Sequence, residues 1–216
     1  MQIYFPIVHA VLDAVYAYGQ GLAANSWKRR LILHWHAIVS GLMRMFIVRR
    51  LVRDAAGLAQ RKLGDAPLGS PDARRPFISF VVPVFNAKPR YLNDLLASFQ
   101  LQLKSGAACE LVFSDDGSTA PATRAWLERH GAEEGLRVLR SEENGGIAEA
   151  TNRGVAVARG DWIGFLDHDD ALAPFAAALI AQTLSRHPDC QFLYTDEIIA
   201  DERLRPVDCF LKPAFD

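Results

Sequence analysis

The chain has 216 residues, half of them hydrophobic and 23% charged, which excludes a disordered polypeptide and leaves room for one sizeable buried core plus an appendage. Its net charge of −1 conceals an asymmetry: nine Lys/Arg and three Asp through Asp65 give +6, so the remainder carries −7. The three cysteines, Cys109, Cys190 and Cys209, are odd in number and scattered, which excludes a disulfide framework and a Cys-x-x-Cys metal site and fits a reducing, cytoplasmic location.

Two apolar stretches, Ile3–Ala24 and Leu31–Val48, open the chain. Both are interrupted by polar or charged residues (His9, Asp13 and Gln20; His34, His36 and Arg44), so neither reads as a clean membrane span. At roughly 100° per residue, Leu31, Trp35, Ile38, Val39, Leu42, Met45 and Phe46 share one face, and His36, Ser40 and Arg44 lie opposite. Between Ser26 and Arg53 there are seven basic residues and no acidic one. An amphipathic helix lying on an anionic membrane surface through residues 27–53 wants this composition, and so does a helical hairpin packed on protein. No nucleic-acid motif accompanies the basic residues, so no nucleic-acid partner is expected. The first basic residue is Lys28, which argues against a cleaved signal peptide. The reading is a helical N-terminal region over 1–63, then a Pro- and Gly-rich linker over 64–76.

From Pro76 the periodicity changes. Strands are expected at Phe77–Val84, Cys109–Phe113, Leu136–Leu139, Asp161–Leu166 and Gln191–Thr195. Helices are expected at Tyr91–Leu103, Pro121–His130, Gly146–Ala158 and Pro174–Ser185. Alternation of this kind predicts an α/β, Rossmann-like domain over 77–216, a mostly parallel sheet with helices on both faces. Ligands of such sheets bind at the carboxyl ends of the strands. Asp115-Asp116 and the run Asp167-His168-Asp169-Asp170 each follow a strand directly, so both are expected to open onto one crevice.

Asp167-x-Asp169 offers two hard-oxygen donors for a divalent cation, the chemistry that a diphosphate requires. It is equally what a solvated turn contains. Asp170 suits the N-cap of the following helix. Asp115 can accept a hydrogen bond from a base imide or a ribose hydroxyl, while Asp-Gly-Ser-Thr after it is also ordinary turn chemistry.

Val81-Val82-Pro83-Val84-Phe85-Asn86, Asp115-Asp116-Gly117-Ser118-Thr119, Glu143-Asn144-Gly145-Gly146-Ile147-Ala148 with Thr151-Asn152-Arg153-Gly154 and Ala158-Arg159-Gly160-Asp161, and Phe165-Leu166-Asp167-His168-Asp169-Asp170 resemble, in order and spacing, the signatures of family 2 glycosyltransferases. Tyr194-Thr195-Asp196-Glu197 and Leu211-Lys212-Pro213 resemble later elements of a polysaccharide- and O-antigen-building subgroup. The resemblance implies a GT-A fold and metal-dependent, inverting transfer from a nucleotide-sugar donor to a saccharide or lipid-linked acceptor. It implies a base and ribose pocket lined by Pro83, Phe85, Asp115 and Asp116. Asp167 falls near ribose and metal, and Asp169 is the principal ligand of Mn²⁺ or Mg²⁺. Asn144, Gly145, Gly146 and Asn152 shape the loop and helix beneath the donor, and Lys212 is placed to touch phosphate or acceptor or to stand as a surface lysine.

The same resemblance puts the acceptor half and the general base beyond Asp216, so no catalytic residue is assigned. Asp196 and Glu197 are read as structural or acceptor-contacting. A truncated chain, a donor module completed by another chain, and a non-catalytic nucleotide-sugar-binding scaffold are the alternatives that follow. A sugar-nucleotide pyrophosphorylase would need a Gly-rich basic loop after the first strand, and Pro83–Pro89 is not one. No P-loop, no Ser-His-Asp signature and no paired histidines for a metal phosphohydrolase are present. The expected place is cytoplasmic, peripheral at the inner face of the plasma membrane.

Overall fold

The computed structural model describes residues 76–210 and 212. The helical region over 1–63 and nearly all of the linker lie outside these residues. The chain divides after Phe192, and the described parts on either side form separate units.

In the first unit the elements run β1 (Ile78–Val84), α1 (Pro89–Lys104), β2 (Cys109–Asp115), α2 (Pro121–His130), β3 (Leu136–Arg140), α3 (Ile147–Val157), β4 (Trp162–Phe165) and α4 (Ala176–Arg186). The four strands form one parallel sheet in the order β3-β2-β1-β4. This is the expected α/β fold, with helices on both faces.

Alternation along the central strands sorts residues between those faces. Ile78, Phe80, Val82 and Val84 of β1 pair with Cys109, Leu111, Phe113 and Asp115 of β2. The apolar members join Leu92, Leu95, Leu96 and Phe99 of α1, Trp126 and Leu127 of α2 and Ala177 of α4 in the main core. Phe113 and Trp126 meet edge to face with ring centroids 5.4 Å apart. Ser79, Val81 and Pro83, paired with Glu110, Val112 and Ser114, turn the other way toward α3. There Gly154 lets the helix approach: a Cβ on it would lie 2.5 Å from Val81 Cγ1.

That second face holds a buried acid, Glu110. It accepts hydrogen bonds from Ser79 Oγ (2.7 Å), from the Arg159 backbone N–H (2.7 Å) and from Arg159 Nε and Nη2 (3.0 and 2.8 Å). Burial alone would raise its pKa. The Ser79 hydroxyl and the Arg159 amide and guanidinium outweigh burial and hold the carboxyl below its ordinary range. The turn between α3 and β4 is thereby tied to the amino-terminal end of the sheet, the end opposite the acidic loops.

Proline in a central strand ordinarily costs a ladder hydrogen bond. Val81 O accepts from Leu166 N and Phe77 O from Trp162 N, whereas Val84 O accepts from Asp116 N. Odd-numbered residues of β1 therefore bond toward β4 and even-numbered ones toward β2. Pro83 turns its missing N–H toward β4, whose pairing stops at Phe165 opposite Val81. The proline therefore falls at the end of the β1–β4 ladder, just past its last bond, from Leu166 N–H to Val81 O.

In the second unit, β5 (Glu197–Ala200) and β6 (Pro206–Phe210) form an antiparallel hairpin. The strand expected at Gln191–Thr195 is not formed: those residues are irregular, and pairing begins only at Glu197. The apolar run Phe192-Leu193-Tyr194 fits the pattern for a strand, yet Phe192 is 71% exposed and the run pairs with no strand among the described residues.

Candidate functional site

Four strand ends define the carboxyl edge of the sheet, and each carries a polar loop. Asp115 closes β2 and is 1% exposed. Its Oδ1 accepts the Ser118 N–H, three residues on, at 3.2 Å and closes the turn after β2. Its Oδ2 is buried and has no hydrogen-bond partner. The nearest cation is Arg140, the register partner of Asp115 at the end of β3, with Nε 3.6 Å from Oδ2. Arg140 Nη1 is held at 2.9 Å by Glu128 of α2. A buried acceptor without a donor is expensive in the interior, so this oxygen is suited to receive one.

Asp116 is arranged differently. It is 3% exposed, and both of its oxygens are engaged internally. Oδ1 accepts the Gly145 N–H at 3.0 Å and bonds Arg153 Nη2; Oδ2 accepts the Gly146 N–H at 2.7 Å. Burial would raise its pKa, but the Gly145 amide, Arg153 and the Gly146 amide together hold it below the ordinary value. Asp116 thus ties the β2 loop to the loop that starts α3. Gly117 makes this approach possible: its φ is +72°, and a Cβ there would stand 2.8 Å from the Glu143 carbonyl carbon.

The loop after β1 is clamped to the same place. Asn86 adopts φ 50°. Its backbone N–H bonds Ser118 Oγ at 2.9 Å, and its Oδ1 accepts the N–H groups of Thr119 and Ala120, both at 2.8 Å. Pro83 is half-buried, and Phe85 is 47% exposed beside Asn86.

On the far side of β1, Asp167 and Asp169 follow β4, and both are exposed. No described residue bonds to either carboxylate, so both are free to bind. Asp167 donates its backbone N–H to Asp170 Oδ2 at 3.3 Å, and Asp170 N–H returns to Asp167 O at 3.2 Å. Asp170 therefore closes its own turn and does not cap the following helix, as its position had suggested. α4 starts six residues later, at Ala176, with Phe175 at the N-cap in the left-handed region (φ 63°). The intervening residues displace the helix start beyond the reach of Asp170.

Two exposed carboxylates at one strand end are a partial ligand set for Mg²⁺ or Mn²⁺. Such ions are commonly bound by one or two protein carboxylates with phosphate and water completing the shell. The donor set fits that arrangement, and among the described residues no group of three or more His, Cys, Asp or Glu is placed to do it alone.

The sheet brings Asp115 and Asp167 to the same edge with β1 between them, two strand spacings or roughly 10 Å apart. Sequence reading named both. It missed Arg140 and the clamp by Asn86. An Asn after a strand is a turn signal that could have been used. Arg140 beside Asp115 requires the β2–β3 register. Lys212 is engaged by its own unit: its N–H bonds Asp196 Oδ1 at 2.9 Å and its Nζ pairs with Glu197. Burial pushes the Cys109 thiol up to about 11, which removes it as a nucleophile.

Residues 79–205 match the family model described as glycosyl transferase family 2. An uncharacterized protein of Sinorhizobium fredii is 40% identical over 139 residues, 64% of this chain and 15% of that protein. The O-antigen biosynthesis protein RfbC of Myxococcus xanthus is 40% identical over 142 residues, 65% of this chain and 11% of that protein. The chain thus spans well under a fifth of the length of either relative. Among solved structures, S. aureus TarS 1-349 in complex with UDP is similar at 28% identity, with a TM-score of 0.45 over 52% of this chain and 33% of that one.

Proposed function

Because the chain belongs to glycosyl transferase family 2, we propose that it holds the donor-binding half of an enzyme that moves a sugar from a nucleotide sugar to a saccharide or lipid-linked acceptor. The observation that carries this reading is the pairing of two unlike acid sites on one sheet edge. Asp115 offers a buried, unpartnered oxygen beside the Arg140 guanidinium. That is an acceptor next to a donor, complementary to an imide N–H and its flanking carbonyl on a nucleobase. Asp167 and Asp169 offer open carboxylates two strands away, for the cation that accompanies the diphosphate.

The roles follow from these surroundings. Asp115 and Arg140 bind the base edge, with Pro83 and Phe85 supplying apolar contact for base and ribose. Asp116, with both oxygens engaged, shapes the pocket floor through Gly145 and Gly146. Asp167 and Asp169 would hold Mn²⁺ or Mg²⁺, which, when bound, stabilises charge developing on the diphosphate as it leaves. Attack opposite the departing diphosphate gives inversion. No described carboxylate is assigned as the base that activates the acceptor.

The kinship to an O-antigen biosynthesis protein supports a polysaccharide or lipid-linked acceptor. The domain division into a helical region over 1–63, a linker over 64–76 and a transferase domain over 77–216 belongs to this reading. So does peripheral attachment to the cytoplasmic face of a membrane through residues 27–53, which rests on their charge. Among the described residues no helix is long and apolar enough to cross a membrane. A second reading, donor binding without turnover, draws on the engagement of both Asp196 and Glu197 by Lys212.

Calorimetric titration of the full chain with UDP, GDP and dTDP, with and without Mn²⁺, tests the donor site. Mn²⁺ should tighten binding of one nucleotide at least tenfold, and Asp169→Ala should abolish that gain. A folded protein that binds none of the three would refute the reading.

A further inference from the structure

The segment that follows the Asp167–Asp170 turn has no cap of its own: Phe175 occupies the α4 N-cap and makes no capping bond through its side chain. Its backbone groups are satisfied from α1, some seventy residues earlier in the chain. Gln102, fully buried, donates from Nε2 to Ala173 O at 3.1 Å and accepts the Ala177 N–H at Oε1, also at 3.1 Å. The same Nε2 is anchored to Ser98 O at 3.0 Å. One turn before it, Ser98 donates to Leu95 O at 2.7 Å and accepts the Leu172 N–H on its Oγ at 3.0 Å. Three backbone groups spanning Leu172 to Ala177 are thus held by two side chains on the buried face of one helix.

Neither residue belongs to the apolar stripe that builds the core. A glutamine at a fully buried helix position is uncommon, and it persists where all of its polar atoms are used. Here both ends of the Gln102 amide are used, by two residues that flank the α4 N-terminus. The acidic turn is fixed on one side by β4, through the Leu166 N–H to Val81 O bond. On the other side it is fixed by this Gln102–Ser98 anchor.

We infer that Gln102 and Ser98 are positioning residues for the carboxylates of Asp167 and Asp169, setting the spacing with which the two meet a cation and a diphosphate. The inference rests on the donor-site reading above and deepens it. Loosening the anchor should leave the base end of the pocket untouched, because Asp115, Arg140 and Asn86 lie on β2, β3 and the β1 loop. A merely structural role would weaken metal-free and metal-assisted binding alike.

The full chain is compared with Gln102→Met, which conserves volume and removes the amide, and with the milder Ser98→Ala. Affinity for UDP, GDP and dTDP is measured with and without Mn²⁺, and amide hydrogen exchange is followed at Leu172 and Ala177. Gln102→Met should keep metal-free affinity within about twofold, lose roughly tenfold of the Mn²⁺-dependent gain, and exchange faster at Ala177. Ser98→Ala should lose about threefold of the gain and exchange faster at Leu172, and it decides the matter should Gln102→Met fail to fold. Faster exchange with an undiminished Mn²⁺ gain would overturn the inference while leaving the donor site standing. A wild-type chain that binds no nucleotide would overturn the donor site and this inference with it.

Discussion

Replacing Asp116 by Asn removes a charge from the most heavily engaged carboxylate near the site and changes its volume hardly at all. The cost follows from its three donors. If the amide oxygen takes the place of Oδ1, it keeps the Gly145 N–H and Arg153, and the new NH₂ group faces the Gly146 N–H that Oδ2 had accepted at 2.7 Å. A donor then opposes a donor at a buried position, a cost of about 1–3 kcal/mol. If the amide is flipped, Gly145 and Arg153 both lose their acceptor, which is worse. Loss of the ionic part with Arg153 adds little, because that side chain is one-third exposed and partly solvated. The expected destabilisation is about 2–3 kcal/mol at neutral pH, read by urea denaturation followed by circular dichroism. Amide exchange at Gly145 and Gly146 should accelerate with it.

The pH dependence has a definite sign. The folded state holds the Asp116 carboxyl below its ordinary value of 3.8, so its contribution is fully present above that value. It is lost as pH falls through the lower folded value, and the gap between wild type and Asp116→Asn should narrow below about pH 3.8. A variant within about 0.5 kcal/mol of wild type at pH 7, with the same pH profile, would refute the assignment of Asp116 as the tie between the two loops.

Two further perturbations separate scaffold from site. Glu110→Gln keeps an acceptor for Ser79 and the Arg159 N–H but sets an NH₂ group against the Arg159 guanidinium, so thermal or urea unfolding should show a loss of about 2 kcal/mol. Its folded pKa is also depressed, so the difference should fade as pH drops below the ordinary 4.5, while metal-free nucleotide affinity stays unchanged because Glu110 lies at the opposite end of the sheet. Gly117→Ala adds a Cβ 2.8 and 2.9 Å from backbone atoms of Glu143 and Asn144 at a φ of +72°, and should cost about 3 kcal/mol. Gly106→Ala, at φ +77° but with nothing within 4 Å, should cost only about 1 kcal/mol by the same denaturation assay.

Much of the first unit was legible in the residues themselves. The apolar, β-branched run at Ile78–Val84 and the short, mostly apolar run at Cys109–Phe113 suit strands covered on both faces, and Pro121 marks a helix start through the φ that proline imposes. The place of Asp115 and Asp167 at the carboxyl edge of the sheet was legible because each directly follows a strand that reads as parallel. The misreadings share a cause. Local pattern alone suggests a strand at Gln191–Thr195 and a capping role for Asp170; among the described residues the first pairs with no strand, and the second lies six residues before Ala176, where the helix starts. Pairing, burial and partner choice arise between segments remote in sequence. Register alone sets Arg140 beside Asp115, a fold-back from Gly145–Gly146 fills the Asp116 carboxylate, and a buried face of α1 holds the segment behind Asp167 and Asp169. Sequence determined which groups could do the chemistry, because side-chain type and local periodicity are properties of single segments. Only tertiary structure decided which of those groups are already engaged and which remain open, because a hydrogen bond needs two partners and the chain supplies the second from far away.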